Sequence, residues 1–392
     1  FQPNKRNKLL ISSIYTRSEI GYEIATADDG DVPEIYDNYN LGVSSEWNSK
    51  IKQNINSNLI ISLSSYRSRF RANAAIDEPL SPTIMGSFSI NTINDLSIHE
   101  EIVLTTKNLN ELDFGLEYRN IEIQEDYKAG SPSDGSLYLR DQHSNAIIVS
   151  PYVNYSFNNW KNWLLQLGGR INYYSRTNEV NIAPRVFTNW YATNNLTLKG
   201  SFGLYYQYLS QVLVLAFSSG GFDNGLWQLA DNKENFSIDG LQSMIGAVWN
   251  KNNWVFDVES YFKTANNVSY YSANKFSDQG RFFTADHEAF GIDFYLRRKL
   301  DSHMETWLGY SISEIKVKTD TMTYDGRYSQ PLSINTGVSY HKNHFKASLG
   351  WRMASGLNGN SIELALARAP IYRKPGRPGQ PREDPFGPID TR

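Results

Sequence analysis

Apolar and polar residues alternate along most of this chain. Between 163 and 173, Trp163, Leu165, Leu167, Gly169, Ile171 and Tyr173 share one parity, and Gln166, Gly168, Arg170 and Asn172 share the other. Successive side chains of a strand point to opposite faces, so this pattern predicts a strand with one apolar and one polar face. It recurs at Leu112–Arg119, Leu196–Leu204, Trp254–Lys263, Leu332–Tyr340 and Phe345–Met353. No stretch keeps a 3.6-residue period over three turns. Several predicted strands run 10 to 18 residues, against roughly 5 to 6 in soluble sheets. Before residue 358 the pattern gives about 14 or 15 strands.

The connections alternate in length. Short turns are expected at Asn158-Asn159, Thr193-Asn194-Asn195, Lys251-Asn252-Asn253, Asp301-Ser302 and Lys342-Asn343, where Asn, Asp and Ser supply turn geometry. Longer polar connections are expected at 20–37, 71–83, 125–142, 209–235, 270–284 and 317–328.

Composition separates a soluble sheet protein from a membrane barrel. The 392 residues include no Cys, which removes disulfides, thiolate nucleophiles and Cys-based metal sites. Net charge is -3, which argues against a nucleic-acid partner. Mean hydropathy is -0.49. The longest apolar run, Val212 to Phe217, is far short of the ~20 residues of a membrane helix. Yet aromatics reach 14%, with 25 Tyr, 19 Phe and 9 Trp. Trp163 and Tyr173 stand ten residues apart on one face, roughly 23 Å along the membrane normal for a strand tilted near 45°. That matches an apolar band of about 25 Å between aromatic girdles. The expected fold is all-β, a transmembrane antiparallel β-barrel in the lipid bilayer of a bacterial outer membrane. Trp163, Tyr173 and Trp254 are its expected interface aromatics. The short turns belong on the periplasmic side and the long loops outside.

The candidate chemistry is sparse. Thr26-Ala27-Asp28-Asp29-Gly30-Asp31 resembles part of a calcium loop but lacks the EF-hand spacing and closing Glu. A solvated loop is the preferred reading there, with a surface calcium as the alternative, and no cofactor is expected. His341 and His344 flank a predicted turn without a third metal ligand. The Gly-rich loop from Phe217 to Trp227 lacks the Lys-Ser/Thr of a phosphate loop. Its aromatics Phe217, Phe222 and Trp227 are the candidate ligand-stacking residues. No Ser-His-Asp motif is present, so no catalytic residue is nominated. Asp257 and Glu259 fall on the inward parity and are expected to line a wet lumen.

A family resemblance enters in the second half. Asn181-Ile-Ala-Pro184-Arg185-Val-Phe, then Leu196-Thr-Leu-Lys-Gly-Ser-Phe-Gly-Leu-Tyr-Tyr206-Gln207, resembles a stretch of TonB-dependent outer-membrane receptors. So do Gly280 to Leu300 with Trp307-Leu-Gly-Tyr310-Ser-Ile-Ser313, and Tyr324-Asp325-Gly326-Arg327-Tyr328 followed by Leu332 to Tyr340 and Trp351-Arg-Met-Ala-Ser355-Gly356. Tyr328 stands where a His is usual, and Leu357-Asn358 replaces a Pro-aromatic pair. The Asn- and Lys-rich wording is like receptors of the Bacteroidota. The resemblance implies a 22-stranded barrel preceded by a plug domain and TonB box. Residues 1–360 are therefore expected to be a portion of the barrel, with the plug outside this chain, as in a fragment of a longer protein. Completion of the barrel by other chains is the alternative. Residues 361–392 hold six of the 14 Pro and several Arg, and read as an extracellular loop or a partner-recruiting tail.

The resemblance implies energised import of a scarce nutrient such as a siderophore, cofactor, glycan or peptide. The implied partners are TonB, through the plug, and a surface lipoprotein. The rivals are a passive porin, an outer-membrane enzyme, and a structural or secretion-associated barrel that binds proteins through its loops.

Overall fold

A computed structural model describes residues 4, 6–26, 30–72, 86–106, 108–130, 137–214, 225–272, 281–319, 322–326 and 329–356. They form one 18-stranded sheet. The first strands are β1 (Asn7–Thr26), β2 (Gly30–Lys52), β3 (Ile55–Ala72), β4 (Gly86–Thr105), β5 (Glu111–Gly130) and β6 (Leu137–Trp160). Then come β7 (Trp163–Tyr174), β8 (Glu179–Tyr191), β9 (Leu196–Gln207), β10 (Leu209–Val214), β11 (Gly225–Leu229) and β12 (Ile238–Lys251). The last are β13 (Trp254–Ser272), β14 (Arg281–Lys299), β15 (Met304–Lys318), β16 (Thr323–Asp325), β17 (Leu332–Lys342) and β18 (Phe345–Ala354).

Fifteen of these strands build the wall as an antiparallel meander, with β9 pairing β12 and β15 pairing β17. The short segments β10, β11 and β16 are excursions from it. Among the described residues β1 pairs only with β2, and β18 only with β17.

The expected parity holds. On β7, Trp163, Leu167, Ile171 and Tyr173 are exposed outward, while Asn172 and Tyr174 on the other parity are buried inside. Phe114 and Leu116 on β5, Phe256 and Phe262 on β13, and Leu308 and Ile312 on β15 face outward in the same way. An outward apolar face of this kind suits solvation by acyl chains.

Every connection at one end of the wall is short. The wall reverses direction there between β2 and β3, β4 and β5, β6 and β7, β8 and β9, β12 and β13, β14 and β15, and β17 and β18. Asn252 and Asn253 have φ of 49° and 67°. Positive φ at both central residues is what a tight hairpin matched to strand twist requires, and Asn tolerates it.

Two expectations are corrected. Asn158-Asn159 is not a turn: β6 continues to Trp160, the register shifts between Phe157 and Trp160, and the reversal falls at Lys161-Asn162. The Asn pair makes a bulge one step early, a device that polar residues at a sheet rim also serve. Several expected long loops are largely paired strand. Within 20–37 the β1–β2 ladder runs to Thr26↔Gly30, and within 125–142 the β5–β6 ladder runs to Gly130↔Leu137. Backbone pairing satisfies every N–H and C=O whether lipid or water lies outside, so ladders need not stop at the membrane surface. The 361–392 tail lies outside the described residues.

Candidate functional site

The excursion between β9 and β12 folds into the lumen. β10 and β11 form a hairpin, Leu209↔Leu229 to Leu213↔Gly225. One side of it pairs in parallel with β13 at Leu213↔Tyr270 and Val214↔Tyr271. The other side lies against β4, β5 and β6. It therefore spans the long-loop end of the lumen above β7, β8 and β9, which are only 12, 13 and 12 residues long.

The hairpin is held by polar contacts to wall strands distant in sequence. The Trp227 backbone N–H donates to Asn91 Oδ1 at 3.1 Å. Gln228 Nε2 donates to Glu125 Oε2 at 3.2 Å. Tyr174 Oη donates to the Ala230 carbonyl at 2.7 Å. The Tyr174 ring stacks on Tyr208, with centroids 4.5 Å apart and planes at 12°. At the hairpin base, Asp231 Oδ1 accepts from the backbone N–H groups of Lys233, Glu234 and Asn235. Glu179 there accepts from Asn232 Nδ2 at 2.6 Å and from Ser237 Oγ at 2.9 Å.

This cover changes the inward face beneath it. Ile121, Ile123, Ala146 and Ile148 point inward yet pack with Tyr174, Tyr208, Leu229 and Ala230 in a buried apolar cluster. The inward face is thus watery only away from the hairpin. There it carries charge pairs: Arg170 Nη1 to Glu117 at 2.7 Å, Arg119 to Asp95, and Lys199 to Asp257 at 2.8 Å and to Glu259. His99 Nε2 lies 2.8 Å from Tyr152 Oη, which also donates to Glu101 Oε1 at 3.2 Å.

Of the three nominated ligand aromatics, Trp227 sits half-buried on β11 and meets Tyr66 edge-on at 6.2 Å. Phe217 and Phe222 lie outside the described residues, as do Asp28 and Asp29 of the calcium-like segment. Tyr66, Asn91, Glu125 and Tyr174 were not singled out from sequence. The available signal was the inward parity of Ile121 and Ile123, which breaks the apolar-out rule. Among the described residues no group of three or more His, Asp or Glu is placed to hold a metal. His341 sits on β17 and its backbone N–H donates to the His303 carbonyl at 2.7 Å.

The nominated interface aromatics fall at strand ends. Trp163 and Trp254 stand at the short-turn end, Tyr173 at the other end of β7. Trp163 stacks on Trp190, with centroids 5.5 Å apart, and Trp160 lies 6.5 Å from Trp163. The Arg298 guanidinium lies 4.5 Å from the Trp254 ring centroid.

Comparison with known proteins agrees with this architecture. A family model described as "TonB dependent receptor-like, beta-barrel" matches residues 3–376. No curated protein sequence matches the chain. Among solved structures, the outer membrane transporter YddB from Escherichia coli superposes with a TM-score of 0.62 at 11% identity, over 92% of this chain and 57% of that one. The ferric-catecholate import receptor Fiu from Escherichia coli K12 gives 0.61 at 11%, over 90% and 63%. The ferric yersiniabactin uptake receptor FyuA from Yersinia pestis gives 0.63 at 8%, over 89% and 56%. The chain thus spans about 57% of the length of the transporter YddB. With an apolar outer face, a polar lumen and short turns gathered at one end, the chain belongs to the TonB-dependent receptor-like β-barrel family of the bacterial outer membrane.

Proposed function

We propose that this barrel serves energised import of a scarce nutrient across the outer membrane, with an iron chelate or a metal complex as the first class to test. The observation that carries the reading is the luminal hairpin β10–β11, which narrows the long-loop end of the lumen and brings Trp227 into it beside Tyr66. Aromatic faces and amide or carboxylate groups at a narrowed entrance suit capture of a ligand with planar rings. Phe217 and Phe222, on the same excursion, are proposed as further stacking groups. Binding and passage are the roles assigned to the barrel, with no covalent chemistry. A plug and TonB are proposed to supply the gate and the energy, and a surface lipoprotein to assist capture at the long-loop side.

The test is accumulation of radiolabelled iron or copper, offered as catecholate, phenolate and free-metal forms, in cells carrying the full-length receptor with and without TonB. Import predicts TonB-dependent accumulation of at least one form, reduced several-fold by Trp227→Ala. No TonB-dependent uptake, combined with retained surface assembly, would favour a receptor-like barrel that binds protein partners.

A further inference from the structure

The outward face of β3 changes character along its length. Leu59, Ile61 and Leu63 share its outward parity, and Ile61 and Leu63 are exposed to the lipid side. Ser65 follows, and then Arg67, Arg69 and Arg71 occupy the next three outward positions. The opposite parity faces the lumen, where Ser68 and Phe70 are buried and Tyr66 meets Trp227. The three arginines are therefore on the outside of the barrel, toward the long-loop end, directly above an apolar surface.

Their height is marked by aromatics. Tyr39 on β2 pairs with Arg67 on one side and with Arg17 of β1 on the other. Tyr39 also meets Tyr15 edge-on, with ring centroids 5.4 Å apart. Tyrosines at the end of an outward apolar run mark the headgroup level of a bilayer.

The local acids are already engaged. Arg17 takes both Asp37 and Glu19, each at 3.3 Å. Among the described residues Arg67, Arg69 and Arg71 form no ion pair. Three guanidiniums on one face without a counter-charge favour an external anion.

From this we infer that the Arg67–Arg69–Arg71 stripe binds the phosphate of an anionic lipid headgroup in the outer leaflet. The guanidinium fork matches phosphate oxygens in a bidentate manner. At ~3.3 Å per residue the stripe spans about 13 Å, room for a headgroup bearing more than one phosphate. Acyl chains of the same lipid would lie on Leu63, Ile61 and the neighbouring Val43. This continuity between charge and apolar band favours a lipid over an acidic protein, which would meet no apolar surface at that level.

The test is native mass spectrometry of the full-length receptor in neutral detergent, titrated separately with phosphatidic acid, phosphatidylcholine, inorganic phosphate and a polyglutamate peptide. The variants are Arg67→Gln/Arg69→Gln/Arg71→Gln and, as a control of equal charge change at the opposite end, Lys50→Gln/Lys52→Gln/Lys161→Gln. Heat-modifiable gel migration verifies that each barrel is folded. Phosphatidic acid adducts should fall at least tenfold in the arginine variant and be unchanged in the control. Phosphatidylcholine adducts should be equal in all three proteins. If the triple variant fails to fold, Arg67→Gln alone, at the most exposed position, should lower phosphatidic acid adducts two- to threefold. Equal adducts in wild type and arginine variants overturn the proposal. So does displacement of phosphatidic acid by equimolar inorganic phosphate, or arginine-dependent binding of polyglutamate in preference to the lipid.

Discussion

The phenol of Tyr174, the last residue of β7, donates a 2.7 Å hydrogen bond to the carbonyl of Ala230, just past the end of β11. Both residues are fully buried. The contact ties the inner hairpin to the wall at the long-loop end of β7, a strand of only 12 residues. Tyr174→Phe keeps the ring stacked on Tyr208 but leaves a buried carbonyl without its donor, at a cost of about 1–3 kcal/mol. Because that cost falls on the hairpin and not on the wall ladders, the barrel should remain folded while the hairpin loosens. Hydrogen exchange should show faster exchange at 226–229, with the β5–β6 ladder unchanged. Equal acceleration in both regions would mean that Tyr174 supports the barrel as a whole.

Much of this fold was legible because its physics is local. The two faces of each strand see different solvents, so parity alone separated Ile171 and Tyr173 from Asn172, and Phe256 from Asp257. The hairpin was not legible in the same way. Its seat depends on Asn91, Glu125 and Tyr174, which approach β11 across the lumen from strands far away in sequence. Nothing in the alternation of 209–235 specifies an inward fold, and the same polar residues would suit a solvated loop. The Asn158-Asn159 error has the opposite origin. Asn suits irregular backbone of either kind, and the bulge at 158–159 and the turn at 161–162 use the same chemistry three positions apart.

Trp163 and Trp190 stack outside the barrel at the short-turn end, on paired positions of β7 and β8. Stacked aromatic pairs contribute about 0.5–1.5 kcal/mol beyond the area they bury. A double-mutant cycle with Trp163→Ala and Trp190→Ala, followed by urea unfolding in lipid vesicles, should return a coupling energy of that size and sign. The coupling should shrink in detergent micelles, where no ordered headgroup layer fixes the rings. A coupling near zero in vesicles would make the two indoles independent anchors.

The reversal between β14 and β15 carries a pH dependence of defined sign. Asp301 Oδ1 accepts from the backbone N–H groups of His303 at 2.6 Å and Met304 at 2.8 Å, and these bonds hold its carboxyl below the usual carboxylate value. A carboxyl whose pKa is lower in the folded state adds stability above its unfolded pKa, and that contribution fades as pH falls through the folded value. Asp301→Asn keeps an acceptor oxygen that does not titrate. Relative to this variant, the wild-type barrel should therefore lose melting temperature as pH falls below about 4, the ordinary carboxylate value. Parallel melting profiles across that window would sink the assignment.

Lys199 reaches across β12 to two carboxylates of β13, and Gly246 makes the path. In register, Lys199 of β9 pairs with Gly246, which pairs in turn with Glu259. A Cβ on Gly246 would stand 2.6 Å from the Val258 carbonyl oxygen, 2.9 Å from Lys199 Cε and 3.1 Å from Glu259 Cγ. The lysine stem can shift, but the carbonyl belongs to the ladder and cannot. Gly246→Ala should therefore destabilise the wall locally more than an alanine in an open strand position. Lys199→Met should leave Asp257 and Glu259 facing each other without their cation, costing about 1–3 kcal/mol in a lumen that water partly screens. Adding Asp257→Asn and Glu259→Gln to Lys199→Met removes the repulsion, so the triple variant should recover most of the loss. Urea midpoints in vesicles measure both effects. Failure of the triple variant to recover would show that Lys199 acts through the packing of its stem over Gly246 and not through its charge.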